Sequence, residues 1–295
     1  MTPTMPANRE ALAAALAERG YIVDDALAMS VFLSLRMQRP LFLEGAPGVG
    51  KTLLAHVLAE LFETRLIRLQ CYEGLDISQA AYEWNYPRQL LEIQARGTGG
   101  AAATDGLFTE AYLLKRPLLQ AIDAAHERPP VLLIDELDRA DEEFESFLLE
   151  LLSEYQISIP ELGTLKAHHR PIVVLTSNRT RDVHDALRRR CLYHWIDYPT
   201  LENEIAIVGR KVPALAQHLC RRLVAFVQRL RKEDLAKLPG VAETVDWAEA
   251  LTQLGETDLD RGVVDATLGL LLKSHEDLER IRGALVERLL TESAG

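Results

Sequence analysis

Cysteine is scarce: three in 295 residues, at Cys71, Cys191 and Cys220. An odd count this small builds no disulfide framework, and the spacing matches no zinc pattern. Buried apolar thiols in a reducing cytosol are the expected reading. Long apolar runs are missing too. No uninterrupted stretch approaches the about 20 residues that a bilayer span needs. The N-terminal segment MTPTMPANREALAAALAERG has no basic n-region, and Glu10, Glu18 and Arg19 interrupt its apolar residues. Neither a signal peptide nor a membrane anchor is expected there, and a cytoplasmic location is. Positive charge is in deficit, with 33 Lys and Arg against 44 Asp and Glu, a formal net charge of −11. Phosphate backbones need clustered positive charge, so nucleic acid is not the expected main partner. What is present is ordinary for a globular chain: 48 % apolar and 26 % charged residues. That excludes a wholly disordered chain, a collagen-like chain and a coiled-coil rod.

Strand and helix patterns alternate through the first 199 residues. Helices are expected over 9–19, with Gly20 as the stop, over 26–37 and over 52–63. Apolar runs at 40–44, 66–71, 131–136, 171–176 and 193–196 read as five strands. Residues 72–106 are less regular and include an aromatic group (Tyr82, Trp84, Tyr86) and a small-residue linker over 97–106. A helix ending near Ala125 follows. The stripe Phe144, Phe147, Leu148, Leu151, Leu152 marks a core helix, and the acids at 141–143 its solvated start. A hairpin is expected at about 157–166, turning at Gly163. After Pro199 only helical stripes remain: Leu219, Leu223, Phe226, Val227, Leu230; Trp247, Leu251, Leu254; and Leu278, Ile281, Leu285, Leu289. The fold class is therefore α/β, a five-stranded parallel sheet over 1–199 followed by a small all-α domain over 200–295.

The strongest chemical signal is the loop Gly45-Ala46-Pro47-Gly48-Val49-Gly50-Lys51-Thr52, with Leu53 following. It matches G-x-x-x-x-G-K-[ST] in full and lies between a strand and a helix. Its glycines let successive N–H groups turn toward phosphate oxygens, and the following helix N-terminus adds partial positive charge. Lys51 is placed to reach the β- and γ-phosphates, and Thr52 to ligate Mg²⁺ through its hydroxyl. A second apolar strand, Leu132-Leu133-Ile134, delivers Asp135 and Glu136 to its C-terminal end, where ligands bind in open α/β sheets. Asp135 would hold Mg²⁺ mostly through water, and Glu136 would be the general base for an attacking water. A third strand ends at Asn178, either a water-positioning group or a turn residue. Arg188, Arg189 and Arg190 are either a solvated helix end or the source of an arginine finger for a neighbouring subunit. His168 and His169 lack a third ligand and read as loop polarity.

These four signals together resemble the AAA+ ATPases: Walker A at 45–52, Walker B at 131–136, sensor 1 at Asn178 and an arginine finger at Arg189 or Arg190. The resemblance implies ATP and Mg²⁺ as cofactors and a ring, expected as a hexamer. The long interval from Lys51 to Asp135 looks like the helix-2 insertion of one AAA+ clade, at about 72–106. The hairpin at about 157–166 looks like that clade's pre-sensor-1 hairpin. Within the clade, 40–52 and 134–140 resemble the MoxR family, and 177–182 with 186–198 look more like its CoxD-type branch. That branch implies maturation of a molybdenum–copper carbon monoxide dehydrogenase centre as the client process, beside a von Willebrand A-domain partner. Tyr21 and Ile22 match the family's adenine-side position, or else form an interdomain packing pair. The sensor-2 arginine of the family has no counterpart in 241–247, so it is either lost or replaced by another arginine. Tyr82, Trp84 and Tyr86 either touch a client or pack beneath the long loop. The rival readings are a nucleic-acid translocase subunit of the same clade and a nucleotide-gated scaffold with little turnover.

Overall fold

The computed structural model describes residues 5–96 and 106–293. The linker expected at 97–106 lies, apart from Gly106, outside the described residues. The chain forms two compact units. One takes its described residues from Met1–Leu12, Asp25–Glu44 and Thr52–Trp195, and the other from Ala13–Asp24, Gly45–Lys51 and Ile196–Gly295.

The first unit is built on a sheet. In chain order, α1 (Arg9–Glu18), most of which belongs to the other unit, and α2 (Asp25–Met37) precede β1 (Leu41–Gly45); the loop after it, also of the other unit, is followed by α3 (Lys51–Leu61) and β2 (Leu66–Gln70). The region expected to be irregular is more ordered than its composition suggests. It holds α4 (Ile77–Ala80), β3 (Tyr82–Trp84) and α5 (Tyr86–Arg96). Asp76 caps α4 in a reciprocal capping box with Gln79. β3 pairs antiparallel with β4 (Leu113–Lys115), register Trp84 to Leu113. Trp84 is buried and meets Phe108 edge to face at 5.2 Å, whereas Tyr86 is exposed. The three aromatics are thus divided, with the tryptophan in the core and Tyr86 on the surface.

The helix expected to end near Ala125 stops earlier, as α6 (Pro117–Ala121). Asp123 takes the backbone N–H of Ala125 with its side chain and closes a turn instead. β5 (Val131–Asp135) and α7 (Glu142–Glu154) follow, α7 capped by Asp141 on the Phe144 N–H. The hairpin is β6 (Gln156–Ile159) with β7 (Gly163–Lys166), paired antiparallel. Gly163, at φ +93°, opens the second strand opposite Ile159, so the turn lies just before it. β8 (Ile172–Ser177), α8 (Asp185–Arg190) and β9 (Leu192–Ile196) complete the unit.

The five long strands form one parallel sheet in the order β2-β5-β8-β1-β9. β1 and β5 are buried at every residue, as expected for strands covered on both faces. β2, at the sheet edge, alternates instead and leaves Arg68 facing outward. β1, β5 and β8 all run parallel, so their C-terminal ends, carrying Glu44, Asp135 and Ser177, share one edge of the sheet.

The second unit is helical: α9 (Leu201–Lys211), α10 (Gln217–Leu230), α11 (Val241–Leu254), α12 (Arg261–Thr267), α13 (His275–Ile281) and α14 (Ala284–Ser293). The α10 stripe Leu219, Leu223, Phe226, Val227, Leu230 is buried as its spacing requires, and Phe226 packs on Trp247 with ring centroids 5.5 Å apart. Leu254, expected in the α11 stripe, is instead exposed, because it is the last residue before the Gly255 helix stop. The final stripe is split between α13 and α14 at Gly283, φ +85°.

A charged pair lies inside this helical core. Both Nη atoms of Arg231 donate to the Glu204 carboxylate at 2.7 Å, with side-chain exposures of 5 % and 0 %. Gln228 and Thr244 add hydrogen bonds to the same carboxylate at 2.6 and 2.8 Å. Arg231 also donates to the Pro239 carbonyl, which fixes the chain just ahead of α11. Removing one partner of such a pair leaves a buried charge uncompensated. Glu204→Ala is expected to lower the unfolding free energy of this unit by about 3–5 kcal/mol, read from denaturant midpoints. A loss below about 1 kcal/mol would mean that water reaches the pair.

Candidate functional site

The glycine loop has the backbone its motif requires. Gly48 and Gly50 adopt φ of +77° and +95°, left-handed conformations that a side chain would strain. A Cβ on Gly45 would lie 2.3 Å from the Ile196 carbonyl oxygen, so only glycine allows that approach. Lys51 is buried, and its ammonium donates to the carbonyls of Gly45 at 2.7 Å and Ala46 at 2.8 Å. It therefore sits curled back onto the start of the loop. Tyr21 is buried against the same loop and donates its hydroxyl to the Gly50 carbonyl at 3.3 Å. Burial pushes its phenol pKa up, so it stays a neutral donor. Ile22 is half-buried beside it, and Leu53 is partly exposed on the first turn of α3.

The segment 241–247, which lacks the family's arginine, begins α11. There the Val241 and Ala242 N–H groups both donate to the Gly48 carbonyl, at 3.1 and 3.3 Å. Gly240 is needed for this fit, since a Cβ on it would come within 2.8 Å of the Pro47 carbonyl oxygen. The start of α11 is thus bonded by its backbone to the apex of the phosphate loop. Arg231, the buried arginine nearest in sequence, is committed to Glu204.

Thr52, next along the chain, joins a second cluster. Its hydroxyl donates to Asp135 Oδ1 at 3.0 Å, linking the last residue of the motif to the acid at the end of β5. Thr176, on the neighbouring strand β8, donates to the same oxygen at 2.6 Å and accepts the Glu136 N–H at 3.0 Å. Arg68, from edge strand β2, holds Asp135 Oδ2 with two nitrogens, at 2.6 and 3.1 Å. Asp135 is 3 % exposed, and a buried carboxylate needs such partners. Glu136 is left-handed at φ +54°, a conformation that costs a non-glycine residue about 1–3 kcal/mol. Strain of this kind concentrates at functional sites. The Glu136 side chain is 34 % exposed, with one contact of 3.4 Å to Arg139. Asn178 directly follows β8, and its N–H is held by the buried Asp138, which also binds the backbone and hydroxyl of Thr180. Asn178 therefore lies just past the end of β8, at the same sheet edge as Asp135.

The three arginines end α8. Arg188 faces inward, over the Tyr193 ring and 3.6 Å from the buried Glu44. Arg189 is 81 % exposed and, among the described residues, paired along its own helix with Asp185. Arg190 donates to Ser153 Oγ at 2.6 Å. Arg39 clamps the helix end by donating to the carbonyls of Arg189, Arg190 and Cys191. The His168 and His169 rings meet edge to face at 4.5 Å, and among the described residues no cluster of three metal-binding side chains occurs.

The motifs alone do not single out Arg68, Thr176, Asp138 or Glu44. The signal for Arg68 is its position as the one charged residue within the strand Leu66-Ile67-Arg68-Leu69. Thr176 and Asp138 lie within segments whose ends carry the motif residues, but their roles depend on which strands are adjacent.

The thiols of this unit make a pH prediction. Burial, reinforced for Cys71 by the Asp135 charge, pushes the Cys71 and Cys191 thiols from 9.0 up to about 12. The folded state keeps these protons after the unfolded chain has begun to lose them, so stability falls as pH rises from 9 toward 12. Each thiol adds a slope of up to about 1.4 kcal/mol per pH unit. Denaturant midpoints measured across that range test it, and a flat profile contradicts it. Below pH 9 both thiols contribute nothing to the slope.

Thr52 and Asp135 offer the hard oxygens that Mg²⁺ takes, and the glycine loop by itself has positions where an added Cβ would strain or fill it, as a phosphate cradle requires. Among the described residues no helix is long and apolar enough to cross a membrane.

Residues 40–191 match the family described as AAA domain (dynein-related subfamily). Among curated proteins, Midasin of Giardia intestinalis is 31 % identical over 136 residues, 46 % of this chain; the chain spans 2 % of that protein's length. Among solved structures, a point mutant of RuvB from Thermotoga maritima aligns with a TM-score of 0.50 at 16 % identity, over 89 % of this chain and 70 % of that one. The RuvB Holliday junction branch migration motor of the same organism aligns at 0.48 and 16 %, over 86 % and 69 %. At such identities the likeness is one of fold, a P-loop AAA+ core with a helical region after it.

Proposed function

The chain belongs to the AAA domain family, dynein-related subfamily, and from that premise we propose that it is a Mg²⁺-dependent ATPase working as a ring of its own copies. The observation that carries the reading is the Thr52–Asp135 hydrogen bond, which ties the end of the phosphate-loop motif to the acid strand. A threonine that donates its proton to Asp135 keeps a lone pair for a metal. Mg²⁺, when bound, would supply neutralisation of phosphate charge. Thr52 would ligate it directly and Asp135 through water.

The loop N–H groups and the α3 N-terminus bind the phosphates. Lys51 leaves the carbonyls of Gly45 and Ala46 for the β- and γ-oxygens, exchanging neutral acceptors for charged ones. Glu136 takes a proton from the attacking water, and its held backbone fixes where the carboxylate points. Asn178 orients that water. An arginine at 189 or 190 completes the site of the next subunit in the ring, proposed as a hexamer. Tyr21 and Ile22 supply an apolar wall for the base.

The client is proposed from the resemblance of 40–52, 134–140, 177–182 and 186–198 to the CoxD-type branch of the MoxR family. It is a metalloenzyme under maturation, handled with a von Willebrand A-domain protein. The net charge of −11 accords with protein partners better than with nucleic acid. The core test is ATP-dependent phosphate release by the purified chain with and without Mg²⁺. Mg²⁺-dependent release supports the ATPase. Tight ATP binding without release would leave the nucleotide-gated scaffold instead, and release that rises with DNA would point to the translocase.

A further inference from the structure

Asp135 carries four donated hydrogen bonds. Oδ1 takes the hydroxyls of Thr52 and Thr176, and Oδ2 takes Nε and Nη2 of Arg68. A carboxylate offers about four lone-pair sites, so this one is saturated. A hydrated cation approaching it must bring its own water donors and displace an existing one.

The four donors differ in how readily they can leave. The Thr52 bond survives metal binding, because its donated proton leaves a lone pair free. Thr176 is buried and also holds the Glu136 N–H, so moving it would disturb the next residue of the site. Arg68 differs from both. It lies on β2 at the sheet edge, its side chain is 49 % exposed, and it has a second acceptor in Gln70 Oε1 at 2.6 Å. It can leave Asp135 for Gln70 and solvent without breaking the core. Arg68 is also the ion-pair partner of a carboxylate 3 % exposed, which needs a cation beside it in any state.

We propose that Arg68 is an intramolecular counter-ion that exchanges with Mg²⁺ on Asp135, so that the two are mutually exclusive at Oδ2. This rests on the ATPase reading above. Arg68 is a positioning residue here, acting through Asp135. Its consequence is a threshold: the metal must displace a tethered cation before the site closes. If Arg68 is engaged about 90 % of the time, the apparent Mg²⁺ dissociation constant is raised about tenfold.

The test is the thermal midpoint of the full chain with saturating ADP, followed as MgCl₂ is added, for wild type, Arg68→Ala and Arg68→Lys. Without Mg²⁺, Arg68→Ala is expected to melt below wild type. With rising MgCl₂ its midpoint should rise half-maximally at about one-tenth the wild-type concentration. At saturating MgCl₂ the gap should close, because the metal has taken over the counter-ion role. Arg68→Lys keeps a charge but loses the fork, and should shift the half-point in the same direction by a smaller factor. It also serves if Arg68→Ala does not fold. A half-point that is unchanged or moves to higher MgCl₂ in both variants overturns the exchange and makes Arg68 an aid to metal binding or a bystander. If wild type itself shows no response to MgCl₂ with ADP, the ATPase reading falls first and takes this proposal with it.

Discussion

Glu136→Gln is expected to lower the ATP turnover rate by about 10²- to 10⁴-fold and to leave ATP binding near the parent value. The substitution is nearly isosteric, so the local backbone has no reason to move. Residue 136 is held at φ +54° by its N–H bond to Thr176, and that bond belongs to the backbone, not the side chain. The one ion pair lost, with Arg139 at 3.4 Å, is partly exposed and adds little to stability. What disappears is the ability to accept a proton from water. Single-turnover phosphate release measured beside equilibrium ATP binding separates the two steps. Turnover within about threefold of the parent would remove Glu136 from the base role and force a search for another acceptor.

The second large effect concerns the arginines of α8. One of Arg189→Ala and Arg190→Ala is expected to lose about 10³-fold or more in turnover with ATP binding retained, as removal of a finger does. The surroundings favour Arg189. Arg188 is engaged with Glu44 and the Tyr193 ring, and Arg190 with Ser153. Arg189 extends into solvent at 81 % exposure, held by one i, i+4 pair. Arg39 meanwhile anchors three consecutive carbonyls at the helix end, so the exposed side chain starts from a fixed base. A finger acting in trans makes a further claim. Mixing Arg189→Ala with Lys51→Ala should recover activity above either alone, because the second protein still carries the finger and the first still binds ATP. If both arginine variants hydrolyse ATP like the parent, the trans-acting finger is wrong.

Much of the fold was legible from local pattern. β1, β5 and β8 are continuous apolar runs, which is how a strand covered on both faces looks in a sequence. The misjudged places have separate causes. β3 pairs with β4, about thirty residues further along the chain, and a three-residue strand has no period long enough to detect. Helix α6 ended early because an Asp123 side-chain turn outcompeted a helix-compatible run. Leu254 kept the helical spacing yet fell at a helix end, where a stripe no longer faces the core.

The site divides along the same line. The glycine-loop motif and the places of Asp135, Glu136 and Asn178 could be read directly, because they are set by spacing along one strand–loop–helix segment or by position at a strand's end. Sequence alone also determined that the chain is acidic and that its α/β part precedes a helical one. Only the tertiary structure decided who shares Asp135. Thr52, Arg68 and Thr176 stand 83, 67 and 41 residues from it in the chain. Strand order brings β2, β5 and β8 side by side, and no local rule of sequence encodes strand order. The same holds for the arginines: three identical residues in a row become one inward, one tethered and one exposed because neighbouring elements supply Glu44, Tyr193 and Ser153. Residue type and spacing set which chemistry is possible, and packing sets which donors and charges are left available to perform it.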